Sequence, residues 1–198
     1  MIGNEGISLN QKKSSTLLFV TSNPNKTLEV RKILNKNGIS FQHKDTAYQE
    51  IQSSSLKTIA TESARYLYEQ LKTPLFLEDS GLFVEQLSGF PGPYSSYVYK
   101  TIGNSGVLKL MSNVNDRTSR FESVVAYAEN IDDIHLFSGI VLGRIADKKR
   151  GKGWGFDPIF IPKNCDETYA EMGIESKQRV SHRYFAFTKF SDWFKTRG

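Results

Sequence analysis

At 198 residues, with 38% hydrophobic and 12% aromatic side chains, the chain can bury a real core and is too apolar to be disordered over most of its length. Its 26 Lys/Arg against 21 Asp/Glu leave a net +5, compatible with polyanionic partners, but no basic cluster has the density of a nucleic-acid reader; the nearest is DKKRGKG at 147–153. Cys165 is the only cysteine, which excludes an internal disulfide and a cysteine-based metal site and favours a reducing, cytoplasmic setting, and no stretch approaches the ~20 apolar residues of a membrane span.

Residues 1–15 read as a polar N-terminal extension without the apolar core of a secretory signal, and 16–198 as a single domain of two lobes. Leu17–Val20 is a short buried-strand pattern. Asn23 can cap a helix and Pro24 is tolerated at its first position, so a helix is predicted from there to about Asn37, closed by Gly38. ISFQH (39–43) predicts another strand. In 56–72, Leu56, Ile59, Ala60, Ala64, Leu67 and Leu71 share one helical face. LFLED (75–79) is a second buried strand, predicted to end at the acidic pair Glu78-Asp79. This alternation predicts an α/β fold with ligands beyond the C-terminal strand ends.

The middle of the chain changes character. SGFPGPYSS (88–96) is a Pro/Gly loop, and Ser95 to Met111 is expected to be helical. RFESVVAYAEN (120–130) and IHLFSGIVLGRIA (134–146) form a predicted hairpin, followed by a glycine-rich loop at 148–158. A last helix is expected from Ser181, with Phe187, Phe190 and Phe194 at helical spacing. A second lobe is expected from residues 40–60 and the middle section.

Four places can carry chemistry, each with a plain structural alternative. In TSNPNK, Thr21, Ser22, Asn23, Pro24, Asn25 and Lys26 offer hydroxyl, amide and ammonium donors beside free backbone N–H groups at a helix start, either an anion site or an ordinary turn. In EDSGL, Asp79 at the strand end can meet a divalent ion and water, or cap the next segment; strand alternation allows only one of Glu78 and Asp79 to face a given cleft. In GWGFDPIF, Trp154 and Phe156 can stack a base or fill a core. In KQRVSHR, Lys177, His182 and Arg183 are substrate donors or a solvated face.

Taken in order, TSNPNK, EDSGL, GFPGPYS, GWGFDPIF and TYAEM…K…SHR resemble the inosine triphosphate pyrophosphatase family over residues 17 to about 194, with wording closest to archaeal members. The resemblance implies an elongated mixed β-sheet flanked by helices, with an active cleft between two lobes. It implies Mg²⁺-dependent hydrolysis of ITP, dITP and XTP to the nucleoside monophosphate and pyrophosphate, in a homodimer, with neither membrane nor nucleic acid as partner. Residues Thr21–Lys26 would hold the triphosphate, and Asp79 would serve as metal ligand and proton acceptor beside Ser80. Glu50 would be the other metal carboxylate, and Trp154, Gly155, Phe156 and Asp157 the base-binding segment. Lys177, His182 and Arg183 would complete the substrate contacts.

Elementary chemistry is consistent with those roles. Electrostatic stabilisation of the leaving pyrophosphate is commonly the largest catalytic term, Mg²⁺ suits carboxylate and water oxygens, and a neighbouring cation is expected to keep Asp79 ionised. Donors on His182 and Arg183 aimed at a 6-carbonyl would oppose the amino group of ATP. The sequence departs from the family at Ser96 and Ser63, where many relatives carry lysine, and at Ser53, which often is glycine; Lys100 follows one helical turn after Ser96. A hydrolase of pyrimidine or modified nucleotides would use the same cleft. A non-enzymatic nucleotide or RNA-binding module would have no need for Glu50 and Asp79.

Overall fold

The computed structural model describes residues 17–197, and the extension expected at residues 1–15 lies outside them. In chain order the elements are β1 (Leu18–Val20), α1 (Pro24–Lys36), β2 (Gln42–Lys44), α2 (Leu56–Leu71), β3 (Leu75–Val84), β4 (Pro91–Gly92), α3 (Ser95–Thr101) and α4 (Gly103–Leu110). The long hairpin β5 (Thr118–Ala128) and β6 (Ile134–Ile145) follows, then β7 (Phe160–Pro162), α5 (Ile174–Arg179) and α6 (His182–Lys195).

One mixed sheet runs β2-β1-β3-β5-β6-β7, with β4 added to β3. Strand β1 is parallel to β2 and β3, and the remaining pairs are antiparallel. Side-chain alternation along β3 decides which layer each residue joins. Phe76 packs with Phe19, Val30 and Leu34 beneath Phe187 and Phe190 of α6. Leu75 and Leu77 face the opposite way, onto Leu56, Ala60, Ala64 and Leu67 of α2. Further along, Leu82 and Val84 enter a second core with Val98, Val107, Phe121 and Ile145. Strands β3, β5 and β6 are long enough to serve both ends, and the elongated mixed sheet follows from that.

The expected helices form at their predicted starts. Asn23 caps α1, its Oδ1 accepting from the backbone N–H of Asn25 and Lys26, and Gly38 adopts φ +72° beyond the C-terminus. Ser181 Oγ accepts from Tyr184 N at the start of α6. Four expectations are corrected. Residues 40–60 belong with β1 and α2, not with the second core, because β2 pairs with β1 and Leu56 and Ala60 pack on Val20. The helical stretch 95–111 is two helices, broken where Gly103 takes φ +59°. Helix α5 was not foreseen.

The fourth correction matters most. Strand β3 does not end at Asp79; it continues to Val84, because Asp79–Val84 keeps its register against Ser119–Val124 of β5. The Ser-Gly after Asp79 is not a turn. Gly81 is required by close approach of another backbone: a Cβ there would lie 2.3 Å from the carbonyl oxygen of Gly92 on β4. Gly81→Ala is therefore expected to cost about 1–3 kcal/mol by overpacking. In thermal unfolding its midpoint should fall by roughly 2–10 °C; an unchanged midpoint would contradict the close approach.

Candidate active site

Strand β1 pairs with β3 only at Leu75 and Phe76, and β4 pairs only at Leu82 and Phe83. Between them one edge of β3 has no strand beside it, and side chains take over its backbone groups. Lys26 Nζ donates to the carbonyl of Glu78 at 2.8 Å, Ser80 N donates to Asp79 Oδ1 at 2.8 Å, and Leu82 N donates to Ser95 Oγ at 2.8 Å. A cavity of about 590 Å³ opens at this gap. Because it wraps the free edge, it reaches both faces of the strand, and Glu78 and Asp79 both line it. The expectation that only one would do so is corrected by the gap.

Glu78 points to the α6 face and is fully enclosed. Its Oε2 lies 3.0 Å from Lys26 Nζ, its Oε1 lies 3.2 Å from Arg183 Nε, and Ser123 Oγ donates to Oε1 at 2.6 Å. Burial alone would raise this carboxyl, but Arg183 and Lys26 hold it well below the usual carboxylate range. Arg183 also donates to Glu29 Oε2 at 2.6 Å and to Ser80 Oγ at 3.1 Å, and its guanidinium lies 5.2 Å from the Trp154 ring centre. Glu29 Oε1 receives Lys177 Nζ at 3.1 Å and Trp154 Nε1 at 3.3 Å, while Lys177 reaches Asp157 Oδ2 at 2.6 Å. Burial pushes Asp157 up, against that ion pair.

Asp79 points to the other face, with Tyr48 and Glu50 also lining the cavity. No ion pair is made by Asp79 or Glu50 among the described residues. Burial, reinforced by Glu50 and Glu78 and opposed by Lys26, pushes Asp79 up to about 7. Lys26, which lies 3.0 Å from Glu78 Oε2, lowers Asp79 but does not by itself offset burial and like charge. Burial with Glu50 and Asp79 nearby likewise pushes the Tyr48 phenol well up. Among the described residues no group of three or more His, Cys, Asp or Glu could enclose an ion. Two crowded, unpaired carboxylates nevertheless fit a divalent cation of the magnesium kind, which uses one or two protein carboxylates and takes other oxygens from water and phosphate.

The turn 21–26 differs from its predicted form in one respect. The helix-start N–H groups are not free, since Asn23 Oδ1 takes those of Asn25 and Lys26, and Asn23 N donates to Thr21 Oγ1 at 3.2 Å. Thr21, Ser22, Asn23, Asn25 and Lys26 all line the cavity, and of these Ser22, Asn25 and Lys26 have side chains not spent within the turn. On the opposite side, His182 lies parallel to Phe121, ring centres 4.5 Å apart, and burial with Arg183 alongside pushes its imidazole well below 6.5, so it is neutral. Phe156 is buried and meets Tyr99 edge-on at 5.7 Å.

Residues 17–193 match the protein-family model described as the Ham1 family. This chain belongs to the Ham1 family. It is 48% identical over 180 residues to the dITP/XTP pyrophosphatase of Methanopyrus kandleri, covering 90% of this chain and 96% of that protein. The dITP/XTP pyrophosphatase of Thermococcus kodakarensis is also 48% identical, over 90% of this chain and 97% of its own length. Among solved structures, a HAM1 protein from Coxiella burnetii superposes with a TM-score of 0.82 at 27% identity, covering 91% of this chain and 98% of that one.

Of the residues singled out in the Ham1 sequence motifs, all line the cavity except Pro24, which occupies the first helical position of α1, and Lys177, which stands behind Trp154 between Glu29 and Asp157. Arg183 lines it but has its charge already shared by two carboxylates. Glu29 was missed. Its signal was its place three residues after Lys26 on the same helix, which puts the two side chains on one face. Glu78 was seen only as half of an acidic pair, although a carboxylate inside so apolar a strand requires a buried partner.

Glu29 also sets a pH limit. Burial would raise it, but Arg183 and Lys177 lower it to about 2 from 4.5. A carboxyl lowered on folding contributes stability that is fully present above pH 4.5 and lost as pH falls toward 2, at most about 3 kcal/mol for this shift. Urea unfolding of wild type and Glu29→Gln should differ most at pH 5–7 and converge between pH 4.5 and 2; a difference constant across that range would contradict the pairing.

Proposed function

We propose that this Ham1 protein hydrolyses non-standard purine nucleoside triphosphates, ITP, dITP and XTP, to the nucleoside monophosphate and pyrophosphate. The observation that carries the reading is the pair of unpaired carboxylates, Asp79 and Glu50, facing the Thr21–Lys26 turn across one cavity, in a chain 48% identical to proteins named dITP/XTP pyrophosphatases. Asp79 and Glu50 would hold Mg²⁺. When bound, such an ion neutralises phosphate charge and polarises the bond to be broken.

The chain's own residues account for the rest. Asp79 lines the cavity without an ion pair and would hold an attacking water and receive its proton. Lys26 donates to the Glu78 carbonyl and lies 3.0 Å from its carboxylate, and its ammonium can still donate to a phosphate oxygen. Ser22 and Asn25 supply neutral donors for the remaining oxygens. Trp154 and Phe156 border the base, with Arg183 and the neutral His182 at its polar edge. Arg183 retains one N–H on each terminal nitrogen after Glu29 and Ser80 are served, enough to donate to a 6-carbonyl but not to the 6-amino group of adenine. The protein would act as a homodimer, as the resemblance implies.

Incubation with ITP, XTP, GTP, ATP and UTP, with and without Mg²⁺, tests the reading directly. Pyrophosphate is expected from ITP and XTP only when Mg²⁺ is present; orthophosphate, or equal turnover of ATP and UTP, would refute it. Asp79→Asn should lower kcat at least about 100-fold, the range of a lost general base. Arg183→Ala should reduce the ratio of ITP to ATP kcat/KM by roughly 5- to 100-fold, the worth of a mispaired buried donor. The ratio is the readout because it is insensitive to the fraction of folded variant; equal losses on both nucleotides would count against the 6-carbonyl contact.

A further inference from the structure

We infer that Lys100, on α3, is a polyphosphate-binding residue of this cavity, supplied from the side of the second core. The inference rests on the hydrolase reading for the identity of the ligand, and on charge and geometry for the site itself. The face of α3 that lines the cavity is Ser95, Ser96, Tyr99 and Lys100, positions related by one helical turn. That face is fixed in place: Ser95 Oγ accepts from Leu82 N and donates to Gly92 O at 2.7 Å, so the helix is tied to the far end of the open β3 edge. Val98, on the inner side, is buried in the second core.

Three side chains of fixed positive charge line the cavity: Lys26, Arg183 and Lys100. Lys26 is 3.0 Å from Glu78, and Arg183 pairs with both Glu78 and Glu29. Lys100 is exposed and has neither an ion pair nor a hydrogen bond among the described residues. It is the lining cation whose charge no carboxylate has neutralised. The same cavity is lined by the carboxylates of Glu50, Glu78, Asp79 and Asp157. A polyanion entering it meets carboxylates on several sides and two cations already paired with them, so the one unneutralised ammonium bears directly on whether it stays. Lys26 is tied to β3 at Glu78, and the helix that carries Lys100 is tied to it through Ser95 at Leu82, four residues further on, about 13 Å at the strand rise. A polyphosphate between them is held from both cores, and not by the Thr21–Lys26 turn alone.

The test is direct binding of tripolyphosphate, and separately of IMP, measured by titration calorimetry in magnesium-containing buffer for wild type, Lys100→Met and Lys100→Arg. Lys100 is exposed on a helix, and unchanged thermal unfolding of the variants will verify that they fold. The methionine variant is expected to bind tripolyphosphate about 10-fold more weakly, the worth of one charged hydrogen bond, with IMP affinity unchanged, and the arginine variant should recover most of the loss. Equal tripolyphosphate affinity in wild type and Lys100→Met, an equal loss for IMP, or no tripolyphosphate binding by the wild type would each overturn the inference. Because no turnover is needed, the outcome is separable from the hydrolase reading. A Lys100-dependent tripolyphosphate site in a chain that fails to cleave ITP refutes that reading alone, and ITP cleavage with Lys100-independent binding refutes this one alone.

Discussion

A carboxylate inside an apolar strand must find positive charge, and the one on Glu78 finds it on two helices at once. Lys26 in the first turn of α1 and Arg183 in the first turn of α6 converge on it from either side. Cations in those positions oppose the helix dipole, so neither is there for the benefit of its own helix. Each is retained by carboxylates, Glu78 for both and Glu29 for Arg183. Removing one member of such a buried set leaves a naked charge, a loss of about 3–5 kcal/mol in comparable cases. The convergence of the two helix starts on the free edge of β3 follows from that pairing, and with it the walls of the cavity.

The pairing also decides which charges remain for chemistry. Lys26, Lys177 and Arg183 are matched by Glu29, Glu78 and Asp157, and this network lies on and around the α6 face of the sheet. Asp79 is the next residue along the strand, so its side chain emerges on the α2 face, where Lys26 lowers it but does not offset burial and the like charges of Glu50 and Glu78. One strand thereby carries a carboxylate kept ionised by partners and another pushed up to about 7 by burial and like charge. The second kind is the one that a divalent ion or a proton can relieve. A strand interrupted by a missing neighbour gives both residues access to the same space.

Much of this was legible in the residues. Periodicity and caps identified α1, α2, α6 and the β5–β6 hairpin, because amphipathic patterning and Asn23 or Ser181 caps are local signals. The order of short motifs pointed to the family and to many of the residues around the cavity, though not to Tyr48, Tyr99 or Phe121. What stayed hidden depends on partners distant in sequence. The length of β3 is set by its register with β5 and by the approach of Gly92 to Gly81, and a Ser-Gly pair taken alone reads as a turn. The break before α4 is a single left-handed Gly103 in an otherwise helical run. Glu29 looked like any exposed acid on a helix, because its three partners lie 125 or more residues further along the chain. Arg183 and Lys177 read as free donors for the same reason.

The turn at 21–26 can now be understood without glycine. Phosphate-enclosing loops need residues at positive φ so that backbone N–H groups point inward; none of residues 21–26 adopts positive φ. Asn23 spends its side chain on the helix-start N–H groups, and Pro24 has none to offer. With the N–H groups of Asn25 and Lys26 taken by Asn23, the turn meets an anion mainly through what projects from it, the hydroxyl of Ser22, the amide of Asn25 and the ammonium of Lys26. Such a surface is neutral apart from one lysine that Glu78 already claims. A site built this way needs positive charge from elsewhere; the lysine of α3, which no carboxylate neutralises, lines the same cavity, and a divalent cation on Asp79 and Glu50 would add to it.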